Sequence, residues 1–254
     1  MDDTFFNIIF ENHKSCLELL LRIVLEKPDL VVKEVIVQKN IPNIYGREVR
    51  FDVFAIDGDG NYYNVEVQRS NVGADPRRPR YNSAMLDTLA AEKGMKWQEL
   101  AKTKVIMITE RDVLAGGLSI YHIKRKIEEM NNKDFGDGTE IIYVNGAAKA
   151  DDALGWLIHD LNCTDPKDMH YKELAEATAF YKEEQKGVNA MCEIMEELRD
   201  ELIEELGDEL VEKGRAEGRA EIAFKMLKDN FSLDEVARLT DLPFSKVQEL
   251  ARTI

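Results

Sequence analysis

The sequence predicts an α/β protein, a mixed β-sheet flanked by helices with an α-helical C-terminal region, and three observations carry that expectation. Residues 47–68 alternate in polarity on either side of an Asp57-Gly58-Asp59-Gly60 break, which is the pattern of a β-hairpin. Val105-Ile106-Met107-Ile108 is an apolar run of strand length. Segments with helical spacing stand on both sides of these strands. The resulting order is helix, three strands, helix, strand.

Each element has its own justification. Thr4 is a plausible N-cap for an apolar pattern through Phe5, Phe6, Ile8 and Ile9, then Leu17, Leu20, Leu21, Val24 and Leu25, which Pro28 closes. Val31 to Val37 is β-branched and weakly alternating, so it reads as the first strand, with Gln38 to Asn43 as a loop. Asn71 to Pro76 reads as a second loop, Arg80 to Lys93 as a helix and Lys104 to Thr109 as a buried strand. Ile120 to Met130 has the spacing of an amphipathic helix. A last strand over Glu140 to Val144 and a last helix over Asp151 to Leu161 complete the expected core.

The hairpin deserves register arithmetic. With Gly58-Asp59-Gly60 as a three-residue loop, Asp57 pairs with Asn61, and counting back sets Asp52 opposite Glu66. Gln68 then shares the face of Glu66. Opposed side chains on paired strands have Cβ atoms about 4.5–5.5 Å apart, so two carboxylates there repel. A cation between them turns the repulsion into binding. Carboxylate and carbonyl oxygens suit hard divalent ions, which makes Asp52, Glu66 and the Val67 carbonyl candidate ligands, with Gln68 placed to hold a water.

Asp52 followed by Glu66-Val67-Gln68 after a hairpin turn resembles the Asp…Glu-x-Gln form of the PD-(D/E)XK nuclease motif. More specifically, the chain resembles the Rpn group of recombination-promoting nucleases, the PD-(D/E)XK nuclease family transposases. The resemblance covers about residues 4–160 and extends to the tail. It includes Arg77-Arg78 and Arg80-Tyr81 ahead of Ser83-Ala84-Met85-Leu86-Asp87, then Gly94 and the Val105–Ile108 strand.

What the resemblance implies is a restriction-endonuclease-like αβββαβ core and a metal-dependent DNA endonuclease linked to recombination or mobile elements. Catalysis would rest on Asp52, Glu66 and Gln68, with Mg2+ or Mn2+ held by Asp52, Glu66 and Val67. DNA phosphates would meet Arg77, Arg78, Arg80 and Tyr81. Many relatives carry lysine where Gln68 stands, and an amide cannot serve as a base near neutral pH. Pro79 and Asn82 depart from the small residue and the aromatic expected there, although proline suits the first turn of a helix. The first helix of such a core often adds an acid. Glu11 and Glu18 are candidates, and nothing in the sequence selects either.

Composition bounds the alternatives. A chain of 254 residues with formal net charge −15 is not a protein that coats nucleic acid, since binding to phosphate needs a basic footprint. Between Glu193 and Glu209, however, nine acids face one arginine, so much of the excess lies in the C-terminal half. Arg77-Arg78-Pro79-Arg80 is locally basic beside the candidate site. No apolar run reaches about 18 residues, so no membrane span is expected. Cys16, Cys163 and Cys192 lack metal-ligand spacing and point to a reducing, cytoplasmic setting. The four histidines are scattered, and no zinc site is expected from them.

Three regions follow, a nuclease-like domain over 1–164, a charged helical region over 165–213, and a helical tail over 214–254. In the second, Ile194, Leu198, Leu202, Ile203 and Leu206 form an apolar face that suits packing on the core or on a second copy. Residues 214–221 repeat Gly-Arg-Ala-Glu. Ser232-Leu233-Asp234-Glu235 is a capping box that opens a helix, followed by a turn and a second helix over Ser245 to Arg252. That tail resembles half a helix-turn-helix, with Lys246 and Arg252 as its main cations. The competing expectation to catalysis is an assembly protein that keeps the nuclease fold and forms a homo-oligomer through its C-terminal helices.

Overall fold

A computed structural model describes residues 3–43, 46–68, 74–183, 218–229 and 231–251, with isolated positions between 187 and 199. Contacts divide the chain into two units, Met1–Glu184 and Gln185–Ile254.

The first unit opens with α1 (Asp3–Asn12) and α2 (Lys14–Val24), so the first helix begins one residue ahead of Thr4. The apolar spacing produces the expected burial, since Cys16, Leu17, Leu20, Leu21 and Val24 of α2 are all buried. Three strands follow, β1 (Val32–Ile41), β2 (Val49–Asp57) and β3 (Tyr62–Gln68). After α3 (Arg77–Ala90) come β4 (Thr103–Thr109), β5 (Ile120–Ile123), β6 (Lys126–Ile127), β7 (Lys133–Asp134) and β8 (Thr139–Asn145). Helices α4 (Ala153–Asn162) and α5 (Lys172–Glu183) end the unit.

The main sheet has six strands in the order β1-β2-β3-β4-β8-β5, and β6 and β7 pair separately. β1, β2 and β3 are antiparallel neighbours, β3, β4 and β8 run parallel, and β5 returns antiparallel on β8. Both faces of the central strands are buried. Phe54, Val105, Met107 and Tyr143 pack with Met85 and Leu86 of α3. Val53, Ala55, Tyr63, Val65, Ile106, Ile108, Ile142 and Val144 alternate with that set on the opposite face and are also buried. Parallel strands covered on both sides explain the unbroken apolar run at 105–108.

Three expectations need correction. β1 runs on to Ile41, so Gln38 to Ile41 belong to a strand and not to a loop, because Lys39, Asn40 and Ile41 find partners in Phe51, Arg50 and Val49. Ile120 to Met130 is not a helix. Ile120, Ile123, Ile127 and Met130 mimic helical spacing, but Ile120-Tyr121-His122-Ile123 pairs with Val144-Tyr143-Ile142-Ile141 of β8. The Tyr121 hydroxyl, 2.8 Å from both Asp112 carboxylate oxygens, anchors that edge, and tertiary pairing overrides the local period. Finally, α5 belongs with the first unit and not with a charged region opening at 165. Its Glu173 carbonyl accepts from the Cys16 thiol at 3.3 Å, and the Phe180 and Tyr181 rings pack edge-on against His13.

In the second unit, residues 218–228 form a helix, α6, followed by α7 (Leu233–Thr240) and α8 (Phe244–Ala251). The Ser232 capping box forms as expected, with Glu235 reaching back to the Ser232 backbone N–H at 3.1 Å. Ala223, Val236 and Val247 make a small core. Lys246 is held by Glu249 at 2.7 Å, and Arg252 lies outside the described residues. So does most of the expected assembly face, including Leu198, Leu202, Ile203 and Leu206, and the first Gly-Arg-Ala-Glu copy. Among the described residues, no helix is long and apolar enough to cross a membrane.

Candidate active site

The hairpin fixes the geometry from its turn. Asp57 is buried, and its carboxylate accepts from the Asp59 and Asn61 backbone N–H groups at 2.9 and 2.8 Å. The Asn61 amide and the Tyr63 hydroxyl donate to its other oxygen at 2.7 and 2.6 Å. Gly60, at φ +81°, supplies the left-handed residue that the three-residue loop demands. This turn sets the register Val53↔Val65 and Ala55↔Tyr63, so the next pair out is Asp52 opposite Glu66, as the arithmetic expected.

At that pair the ladder between β2 and β3 stops, and side chains replace backbone partners. The Val67 N–H donates to Asp52 Oδ2 at 3.2 Å, and the Asp52 N–H points at Glu66 Oε1 at 3.4 Å. Because the N–H and C=O of one strand residue point to the same side, the Val67 carbonyl also faces the β2 side, towards Asp52. β3 stays paired to β4 through this point, with Glu66 opposite Met107 and Gln68 opposite Thr109. The two carboxylates therefore meet at a split in the hairpin, on the side that the Val67 backbone faces. Its floor is held rigid from the other side.

Two carboxylates and a guanidinium meet at the split. The Glu66 side chain is fully buried, and Arg78 from the first turn of α3 donates to Glu66 Oε2 at 2.8 Å. The same guanidinium donates to Gln68 Oε1 at 2.9 Å. Arg78, half-exposed, is thus shared between Glu66 and Gln68. Burial and then the Asp52 charge raise the Glu66 carboxyl, Arg78 opposes them, and the net result is a pKa of about 7. An all-oxygen donor set with two neighbouring carboxylates fits a hard divalent cation.

The other expected residues separate into two groups. Arg77 and Arg80 are exposed on α3, and Arg77 lies 3.7 Å from Asp75. Tyr81 is committed elsewhere, since its hydroxyl donates to the Arg47 carbonyl at 2.6 Å and accepts from the Asn43 amide at 2.8 Å. Asn82 is buried and its amide nitrogen has no hydrogen-bond partner among the described residues, so the structure gives no reason for its replacing the aromatic. Of the two first-helix acids, Glu18 accepts from the Val32 N–H at 2.9 Å, at the turn end of the sheet. Glu11 is exposed, and its charge acts on Tyr181 of α5. Neither reaches Asp52.

Sequence reasoning missed Gln38. Extending the register from Val37↔Val53 and Lys39↔Phe51 sets it across from Asp52, and that position alone drops out of this stretch of the ladder. Its φ of +51° is a strained backbone for a residue with a side chain. Asp52 is therefore flanked by an irregularity on β1 and a split towards β3. No local sequence signal marks Gln38, because it has neither a glycine nor an asparagine to announce the left-handed turn.

A family model described as PD-(D/E)XK nuclease family transposase matches residues 1–150. Neither a curated protein nor a solved structure matches the chain.

Proposed function

The chain belongs to the PD-(D/E)XK nuclease family transposases, and from that membership we propose that it is a metal-dependent DNA endonuclease hydrolysing phosphodiester bonds at the hairpin split. The observation that carries this reading is the meeting of Asp52 and Glu66, with the Val67 N–H on the Asp52 carboxylate, where the β2–β3 ladder ends; the Val67 carbonyl is the third ligand we infer. These three would hold Mg2+ or Mn2+. A divalent ion so bound polarises a scissile phosphate and brings the pKa of a coordinated water towards neutrality.

The protein residues then have separable tasks. Asp52 is anchored by the Val67 N–H, which fixes the orientation of its carboxylate as a ligand for the ion. Glu66 must shed its proton to ligate, because its pKa lies near 7 in the metal-free protein. Arg78 favours that loss by holding the ionised form. A guanidinium only donates, so the Gln68 carbonyl must face Arg78, and its NH2 is turned to the opposite side as a donor. Gln68 is accordingly a group that positions a water or phosphate oxygen. It does not remove a proton. Arg77 and Arg80, both exposed on the same helix, supply charge for the flanking phosphates.

Supercoiled plasmid incubated with the full chain in Mg2+, Mn2+, Ca2+ or chelator tests the reading, with Asp52→Ala and Glu66→Ala alongside. Nicking or linearisation in Mg2+ or Mn2+, absent from both variants, is the expected result. Metal-dependent cleavage that survives Asp52→Ala would remove the site assignment. A folded wild-type chain that cuts under no metal would remove the catalytic reading altogether.

A further inference from the structure

Two of the four histidines, eleven residues apart in sequence, meet on one carboxylate far along the chain from Asp52 and Glu66. Asp160, in the last turn of α4, has a fully buried side chain, and the Nδ1 atoms of His159 and His170 each lie 3.0 Å from its Oδ1. The expectation that the histidines are scattered is corrected here. Ligand atoms of all three residues lie within 4.8 Å of one another.

The arrangement is built, and it is overcrowded as a hydrogen-bond cluster. The Asp160 carboxylate is fixed by the backbone N–H of His170, at 2.9 and 2.8 Å to its two oxygens, and by that of Tyr171 at 2.7 Å. With both imidazoles added, Oδ1 faces three donors, while a carboxylate oxygen has two lone pairs. His170 is held by the Trp156 indole, stacked parallel at 5.7 Å, and it packs edge-on against His159 at 4.7 Å. Both imidazoles are half-exposed, so the cluster opens to solvent on one side.

We infer that His159, Asp160 and His170 form a second metal site, for a borderline divalent ion of the zinc class, distinct from the all-oxygen set at Asp52 and Glu66. Two imidazole nitrogens and one carboxylate oxygen are the donors such ions take, while magnesium prefers oxygen alone. Tetrahedral bonds of about 2.0–2.1 Å place ligand atoms about 3.3 Å apart, so each 3.0 Å nitrogen–oxygen spacing grows by a few tenths of an ångström around an ion, and the imidazoles adjust within the 4.8 Å that spans the ligand atoms. Solvent fills the fourth position. The bound ion pins the segment between α4 and α5 to the end of α4, because His170 opens the approach to α5 while His159 and Asp160 belong to α4.

Zinc titration of the full chain tests this, read against a chromogenic competitor chelator and carried out in an Asp52→Ala/Glu66→Ala background so that the first site is silent. One equivalent of zinc is expected to bind. That step should vanish in His159→Gln and in His170→Gln, with circular dichroism unchanged, and persist in Cys163→Ser. Cobalt substitution should give the visible bands of a low-symmetry N/O site, lost in the same two variants. A zinc step that survives both histidine substitutions, or that disappears with Cys163, overturns the assignment. A folded protein with no zinc step overturns it too. None of these outcomes depends on cleavage, so failure here and failure of the nuclease reading are separate events.

Discussion

The two ends of one hairpin carry buried carboxylates with opposite fates. At the turn, Asp57 collects four donors, and although burial pushes its pKa up, the bonds from Asn61, Tyr63 and the backbone bring it down overall. At the open end, Glu66 has one guanidinium and a second carboxylate beside it, and its pKa rises to about 7. The strands, the loop and the degree of burial are shared. Donor count differs, and at the open end the charge of a facing acid raises the group. The closed end stabilises the fold that holds the open end in an unfavourable state, which a cation or a proton on Glu66 relieves.

That contrast predicts opposite responses to substitution, and the largest concerns activity. Asp52→Ala is expected to lower metal-dependent plasmid cleavage by about a thousandfold or more, since a lost metal ligand removes several kcal/mol of transition-state stabilisation. Its urea midpoint should stay level or rise, because the variant relieves the repulsion at Glu66. Asp57→Ala should do the reverse. Leaving the Tyr63 hydroxyl and the Asn61 amide buried without their acceptor is expected to cost about 3 kcal/mol of unfolding free energy, with cleavage per folded molecule retained. Should Asp52→Ala be the destabilised variant, the assignment of the two ends is inverted.

A second effect separates the ends by pH. The Glu66 pKa is raised from 4.5 to about 7, so the folded state holds its proton more tightly than the unfolded state does. Stability of the metal-free protein should therefore increase as pH falls from 8 towards 5, by on the order of 2 kcal/mol from this group. Glu66→Gln should abolish that increase. Asp57 works in the other sense, since its folded value is depressed, and its contribution is present above its unfolded pKa and lost as pH falls through the folded one. Urea titrations of the wild type and Glu66→Gln at pH 5 and 8 read the two slopes directly.

The register that creates this contrast was legible in the sequence because a three-residue loop leaves no freedom. Once Asp57 pairs with Asn61, period two dictates that Asp52 faces Glu66. The split at that pair was not legible, because it depends on carboxylates replacing backbone partners in three dimensions. The strained backbone at Gln38 belongs to the same class. Ile120 to Met130 failed for another reason. Apolar residues spaced by three and four fit a helix, and only the free edge of β8 reveals why the chain extends there. His159 and His170 show the limit most plainly, since eleven residues separate two side chains that share an oxygen.

Metal binding should follow the proton on Glu66. Below pH 7 each ion must displace it, so Mn2+ affinity measured by calorimetry is expected to weaken by about tenfold per pH unit between 6.5 and 5.5. Above 7.5 it should level off. In buffers of different ionisation enthalpy the observed heat at pH 6 should report close to one proton released, and Glu66→Gln should show none. A flat affinity across this range would mean that the ion does not meet Glu66.

The smallest effect tests whether the open end extends along α3. The resemblance assigns Tyr81 to DNA phosphates, whereas its hydroxyl is engaged by Arg47 and Asn43. Tyr81→Phe removes both bonds at a partly buried site and should cost about 1 kcal/mol of stability, as for an ordinary hydrogen bond. If holding the loop is its whole task, kcat and the KM for DNA stay at wild-type values. Arg80→Ala, on the exposed side of the same turn, should instead raise KM and flatten its dependence on salt, because a phosphate contact carries counterion release. A Tyr81→Phe variant with raised KM and unchanged stability would return the tyrosine to the substrate surface. Asn43 and Arg47, which its hydroxyl joins, would then border the DNA-binding face.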